Sequence, residues 1–128
     1  MVGVTEEVMM TDKRERALLP EDLARLFVER ANAGDAKGLA ELYEPNAVLA
    51  YPPGRMTVGR DAIRAVYERF LEMAPRLEME VPLATVRMGD IALTSTRPRD
   101  DATARAQVAR RQADGTWLRV LDRPEFRD

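Results

Sequence analysis

The apolar positions of this chain recur first at helical spacing and then, beyond Pro75, at every second residue. Leu23, Leu26, Phe27 and Ala31 fall on one helical face. The entry Leu19-Pro20-Glu21-Asp22 opens that helix, with Pro at a first helical position and acids in the first turn. Gly34 supplies a stop, and Asp35 caps a second helix that carries Leu39, Leu42 and Tyr43 before Pro45 ends it. Ala47–Tyr51 reads as a short strand, Pro52-Pro53-Gly54 as a rigid turn and Met56–Val58 as a second strand. Gly59-Arg60-Asp61 then opens the clearest helix, with Ile63, Val66, Tyr67, Phe70 and Leu71 on its apolar face. Arg64, Glu68, Arg69 and Glu72 cover its solvated side.

From Leu77 the period is two. Leu77, Met79, Val81 and Leu83 alternate with Glu78, Glu80 and Pro82, and the Pro implies a sheet edge or a bulge. Met88-Gly89-Asp90 turns the chain into Ile91–Arg97, and Pro98–Asp101 turns it back into Thr103–Gln112. The hairpin signal Asp114-Gly115 leads to a closing strand, Trp117–Asp122. The pattern predicts an α+β domain over residues 19–128, with three N-terminal helices and a mostly antiparallel sheet of about six strands. Residues 1–18 lack amphipathic order and read as an extension, partly disordered or helical.

Composition removes chemistry from consideration. The chain has no histidine and no cysteine, which rules out Ser-His-Asp and Cys-His catalysis, disulfides and His/Cys zinc sites. A metal would need a carboxylate oxygen site, and neither metal nor organic cofactor is expected. Of the 20 basic residues only Lys13 and Lys37 are lysines, yet the arginines are spread along the chain and the formal net charge is −2. No basic stripe is interleaved with aromatics, so nucleic acid is not an expected partner. No apolar run is long enough for a membrane span, no signal peptide is visible, and the expected location is the cytoplasm.

Several strings carry a family resemblance. Phe27-Val28-Glu29-Arg30-Ala31-Asn32-Ala33-Gly34-Asp35 resembles the first-helix ending of ketosteroid isomerases. Asn46-Ala47-Val48 with the following strand and Pro-x-Gly resembles their next segment, and Gly59-Arg60-Asp61-Ala62-Ile63-Arg64 with Tyr67 their third-helix entry. Val108–Trp117 followed by Asp122-Arg123-Pro124 is similar to the SnoaL-like, DUF4440-type branch. The resemblance covers about residues 19–128 and implies the NTF2-like fold: a curved sheet wrapped around helices, leaving a conical, largely apolar pocket.

It also implies where isomerase chemistry would sit. Ketosteroid isomerases use a first-helix Tyr and a protonated late-strand Asp for the oxyanion, and a second Asp as proton shuttle. Those positions fall on Phe27, on Ala109 or Gln107, and on Tyr51 in this sequence, so all three roles are vacant. Steroid isomerisation by that mechanism is not expected. SnoaL-type cyclases need one acid/base carboxylate in an apolar pocket, and Asp122 is the candidate; its alternative role is a strand-end ion pair with Arg119 or Arg123. Phe27, Tyr51, Met56, Tyr67, Gln107 and Trp117 are the candidate ligand-binding residues, each with an alternative role in the core. On strand 103–112, Arg105, Gln107, Ala109 and Arg111 share one face; which face lines the pocket is open, with Gln107 favoured inward and Arg111 outward.

The reading is a SnoaL-like protein that binds a small apolar or polyketide-like molecule. The alternatives are a cofactor-independent cyclase or isomerase using Asp122 and a Tyr, and a non-catalytic protein-interaction module. A sheet covered by helices on one side only also predicts a homodimer through the outer face.

Overall fold

A computed structural model describes residues 14–98 and 104–125. The N-terminal extension up to residue 13 and the Pro98–Asp101 turn beyond its first residue lie outside the described residues. Three helices, α1 (Asp22–Asn32), α2 (Ala36–Ala40) and α3 (Arg60–Met73), accompany seven strands. The strands are β1 (Tyr43–Leu49), β2 (Thr57–Val58), β3 (Val81–Pro82), β4 (Val86–Met88), β5 (Ile91–Arg97), β6 (Arg105–Arg111) and β7 (Trp117–Arg123). They form one sheet in the order β2-β1-β7-β6-β5-β3, with β4 also paired to β5. All neighbours are antiparallel except β1 and β7.

The helices end where the local chemistry says they should. Asp35 accepts a hydrogen bond from the Gly38 amide at 2.9 Å and so caps α2, after Gly34 has turned the chain at φ 69°. The apolar face of α3 buries Ile63 and Tyr67 completely, while Phe70 packs at its margin. The core lies between the helices and the concave side of the sheet, and is built from Leu23, Leu26, Leu39, Leu49, Ile63 and Trp117 with their neighbours.

Two predicted elements change. The second helix stops at Ala40, so Tyr43 opens β1 and Pro45 lies within that strand. Between Tyr43 and Val48 the pairing of β1 with β7 is irregular, which accommodates a proline inside the sheet. The predicted strand over 77–83 contracts to Val81–Pro82 at the sheet edge, where Pro82 was expected. Leu77 is tied instead to α1: the Asn32 side-chain amide donates to its carbonyl at 2.9 Å and accepts from its N–H at 2.8 Å. Residues 14–17 pack onto the domain. Ala17 is buried and its carbonyl accepts from the Trp117 amide, while Arg14 is paired with Asp35.

Candidate functional site

Side chains alternate along a strand, so residues three apart normally face opposite sides of a sheet. On β7, however, Val108 of β6 pairs with Leu121 and Ala109 pairs with Arg119, leaving Val120 as an extra residue. This bulge brings both Arg119 and Asp122 to the helix side, where each is 4% exposed. Leu121 is turned outward and stands 49% exposed. Asp122 lies opposite Gln107 of β6, which is also buried.

These side chains form one polar cluster. The Tyr43 hydroxyl donates to Asp122 Oδ2 in a short contact, and Gln107 Nε2 donates to Asp122 Oδ1 at 3.1 Å. Arg119 Nη1 lies 3.5 Å from both Asp122 Oδ2 and the Tyr43 oxygen. The Tyr67 hydroxyl of α3 meets that of Tyr43 at 2.7 Å, and Thr94 Oγ1 donates to Gln107 Oε1 at 3.4 Å. Burial raises the pKa of both tyrosines above the ordinary value, and the Asp122 charge adds to the shift. Burial is the largest influence on Arg119 and opposes its charge, but Asp122, Tyr43 and Tyr67 together outweigh it and hold the guanidinium above its usual range.

The cluster closes the inner end of a cavity of about 70 Å³. Ala24, Phe27 and Val28 of α1 form one wall, and Leu77 to Glu80 form the opposite one. Arg105, Gln107, Arg119 and Asp122 line the sheet side. At the mouth Arg105 Nε bonds Glu80 at 2.8 Å, and Thr96 donates to the same carboxylate at 2.8 Å. The volume is small beside the ~300–1,000 Å³ of drug-sized sites. The segment 77–80 lies between α3 and β3, outside the strands, and is clasped by Asn32 and Arg105.

The predicted site residues divide. Asp122, Phe27 and Gln107 converge on this cavity; Tyr51, Met56, Tyr67 and Trp117 are not among the residues that line it. Tyr67 is fully buried behind Phe27, with ring centroids 5.5 Å apart. Tyr51 packs edge-on against Phe70 at 5.9 Å, and Met56 is 63% exposed on the other side of the sheet. Trp117 is buried at the far end of β7, under Arg87 at 4.9 Å, beside a separate cleft rimmed by Arg14, Arg16 and Arg60. Asp122 makes the expected alternative ion pair with Arg119, but makes it in the interior and not at an exposed strand end. Gln107 faces inward and Arg111 is exposed in an ion pair with Asp90.

Sequence reasoning missed Tyr43 and did not place Arg119 in the site. Arg119 shares parity with Trp117 two residues earlier, and that signal alone puts it inside. Tyr43 carried no such signal because it also fits the helical spacing of Leu39 and Leu42. Among the described residues no group of three or more His, Cys, Asp or Glu side chains is arranged to hold a metal ion. Nor is any described helix long and apolar enough to cross a membrane.

Comparison with known proteins follows the same lines. A ketosteroid isomerase-like protein from Erwinia carotovora atroseptica superposes with a TM-score of 0.64 at 20% identity, over 80% of this chain and 88% of that one. A Catenulispora acidiphila protein in complex with S-DNPA gives 0.61 at 18% identity, over 80% and 87%. An NTF2-like protein with a cystatin-like fold from Novosphingobium aromaticivorans gives 0.58 at 17% identity, over 95% and 86%. Among curated proteins nothing matches this sequence. The model of the SnoaL-like domain matches residues 24–128, and the chain therefore belongs to the SnoaL-like family, with the NTF2-like fold.

Proposed function

We propose that this chain binds a small, largely apolar molecule, of the size and polarity of a polyketide fragment, in the cavity between α1 and the sheet. The observation that carries this reading is an apolar-walled cavity ending on a buried polar cluster, Tyr43, Gln107, Arg119 and Asp122. Apolar walls supply affinity and a few convergent polar groups fix orientation, which is how small-molecule sites are usually built. That a Catenulispora protein of this fold was captured with S-DNPA supports ligand binding as a use of the fold. Titration with a single-ring polyketide fragment, a hydroxyacetophenone, followed by NMR, tests it. The methyl groups of Ala24, Val28 and Met79 should shift with micromolar affinity, about 8 kcal/mol. Shifts confined to Val58 and Leu93 on the outer face, or none at saturation, would overturn it.

A second reading, a cofactor-independent cyclase or isomerase, is favoured by the position of Asp122 on the cavity wall. Its Oδ2 accepts from Tyr43 and Arg119, while Oδ1 accepts from Gln107 alone among the described residues and keeps a lone pair for a proton. Turnover of a polyketide substrate that survives Asp122→Asn would exclude it. No isomerisation of 3-keto-Δ5 steroids is expected under either reading, and a measurable rate would refute the argument from vacated positions.

We also propose that the chain pairs with a second copy of itself through the sheet. The strand register aligns Val58, Val48, Leu121, Val108, Leu93 and Val86 as neighbours from β2 across to β4. Of these Val58, Leu93, Val86 and Leu121 are among the exposed large hydrophobics. A self-complementary interface of ~800 Å² per partner would cover the row and take about a tenth of the chain's surface. Light scattering at micromolar concentration should give twice the chain mass of 14.4 kDa. Leu121→Glu should halve it, and a wild-type mass near one chain would rule the dimer out.

A further inference from the structure

Arg119 is left with donor capacity that the protein does not use. The residue is 96% buried, lines the cavity, and its Nε–H has no acceptor among the described residues. Its Nη1 is shared between Asp122 Oδ2 and the Tyr43 oxygen at 3.5 Å, the outer limit of a hydrogen bond. The guanidinium is nevertheless held in place, with its carbon 5.2 Å from the Phe27 ring centroid and 5.8 Å from that of Tyr43. Asp122 is in the opposite condition, accepting from Tyr43, Gln107 and Arg119 together. A buried charged donor without a full set of acceptors is costly. The inner end of the cavity therefore holds a charged donor whose hydrogen bonds the described residues do not complete.

The charge around the cavity narrows what should fill it. On the sheet side of its lining the Asp122 carboxylate stands beside the Arg119 guanidinium. Arg105 is engaged with Glu80 at the mouth. An anionic ligand reaching Arg119 would sit beside the Asp122 carboxylate, where like charges repel with little screening. A neutral carbonyl oxygen takes the same hydrogen bond without adding an anion.

Building on the reading of this cavity as a small-molecule site, we propose that Arg119 receives the carbonyl oxygen of a neutral ligand, a ketone or quinone, and that the cavity rejects the matching carboxylate. Phe27 then serves twice, as apolar wall and as the surface that orients the guanidinium. Arg119 thereby becomes the specificity-determining residue of the site.

Three probes of similar shape, acetophenone, ethylbenzene and benzoate, test this by NMR titration of the wild-type protein at neutral pH. Acetophenone should shift the Ala24, Val28 and Met79 methyl groups and also the Nε–H resonance of Arg119. Ethylbenzene should bind about tenfold or more weakly and leave that resonance in place, the ratio expected from a hydrogen bond to a charged donor. Benzoate should bind at least about tenfold more weakly than acetophenone. Ethylbenzene binding as well as acetophenone, or benzoate binding better, would overturn the assignment while leaving the apolar pocket standing. Cavity methyl groups unmoved by all three probes would overturn the pocket and the assignment together. In Arg119→Gln the affinity for acetophenone should fall to that for ethylbenzene. The wild-type Nε–H shift decides the matter without the variant, should its buried Asp122 prevent folding.

Discussion

Alkaline pH should destabilise this domain through Tyr43 and Tyr67. Both side chains are fully buried, their hydroxyls are 2.7 Å apart, and the Asp122 carboxylate accepts from one of them. Burial and that nearby charge disfavour tyrosinate, so the folded pKa of each stands above the unfolded value of about 10. A group whose folded pKa is raised contributes stability that is complete below the unfolded pKa. That stability is lost as pH rises toward the folded one. At about pH 11 an unfolded tyrosine has gained ~1.4 kcal/mol by ionising, which a tyrosine still protonated in the fold cannot match. Two such residues remove about 2.8 kcal/mol by that point, a large share of the ~5–15 kcal/mol of an ordinary domain. Urea unfolding curves from about pH 8 to pH 11 measure the loss directly. Tyr43→Phe should be less stable at neutral pH, because Asp122 loses a donor, yet its decline between pH 9 and 11 should be shallower by about half. A wild-type midpoint that stays flat through this window, or an unchanged slope in Tyr43→Phe, would refute the reasoning.

Breaking the buried pair with Asp122→Leu should cost about 3–5 kcal/mol, since Arg119 keeps its charge without a partner. The double variant Arg119→Met/Asp122→Leu should recover much of that loss, and thermal unfolding of the two proteins gives the comparison. Gly38→Ala should destabilise by about 1–3 kcal/mol, because a Cβ there would lie 2.1 Å from the Asp35 oxygen that accepts from Arg14. A gain in stability, as expected for an unobstructed helical glycine, would show that the Asp35 cap is not as drawn. Asn32→Ala should free both backbone groups of Leu77, and hydrogen exchange at the Leu77 amide should quicken with little change at β6.

The parts of the fold that the residues announce are those in which one rule acts alone. In α3 the positions of Ile63 and Tyr67 follow from spacing, and the β6–β7 hairpin follows from Asp114-Gly115 and the alternation on either side. Where two rules compete, the tertiary structure decides. Leu39, Leu42 and Tyr43 satisfy a helical face, but the Arg119 amide donates to the Leu42 carbonyl at 2.8 Å and draws the chain into β1. Leu77 and Met79 satisfy strand alternation, but the Asn32 side chain takes the hydrogen bonds that a neighbouring strand would need. The site was half legible for the same reason. Phe27 lies where helical spacing points inward, whereas Gln107 shares its strand face with the exposed Arg111, so periodicity leaves its direction open. Asp122 reaches the interior only through the extra residue Val120, which alternation along β7 cannot reveal.

The central strands invert the usual distribution of polarity. Soluble antiparallel sheets generally turn apolar residues to the core and polar residues to water. Here Thr94 and Thr96 of β5, Gln107 of β6, and Arg119 and Asp122 of β7 are buried, while Leu93 and Leu121 on the opposite face are 44% and 49% exposed. Stability does not account for this arrangement, since a buried ion pair seldom outperforms apolar packing and exposed leucines add nothing in water. Each half makes sense as the complement of something outside the chain. On the two proposals above, the inner polar set is there to meet a ligand atom and the outer apolar row to meet a second copy of the chain. Because the inner and outer residues alternate along the same strands, a bulge such as that at Val120 affects both at once. It turns Asp122 toward the cavity and, in the same step, Leu121 toward the outer face.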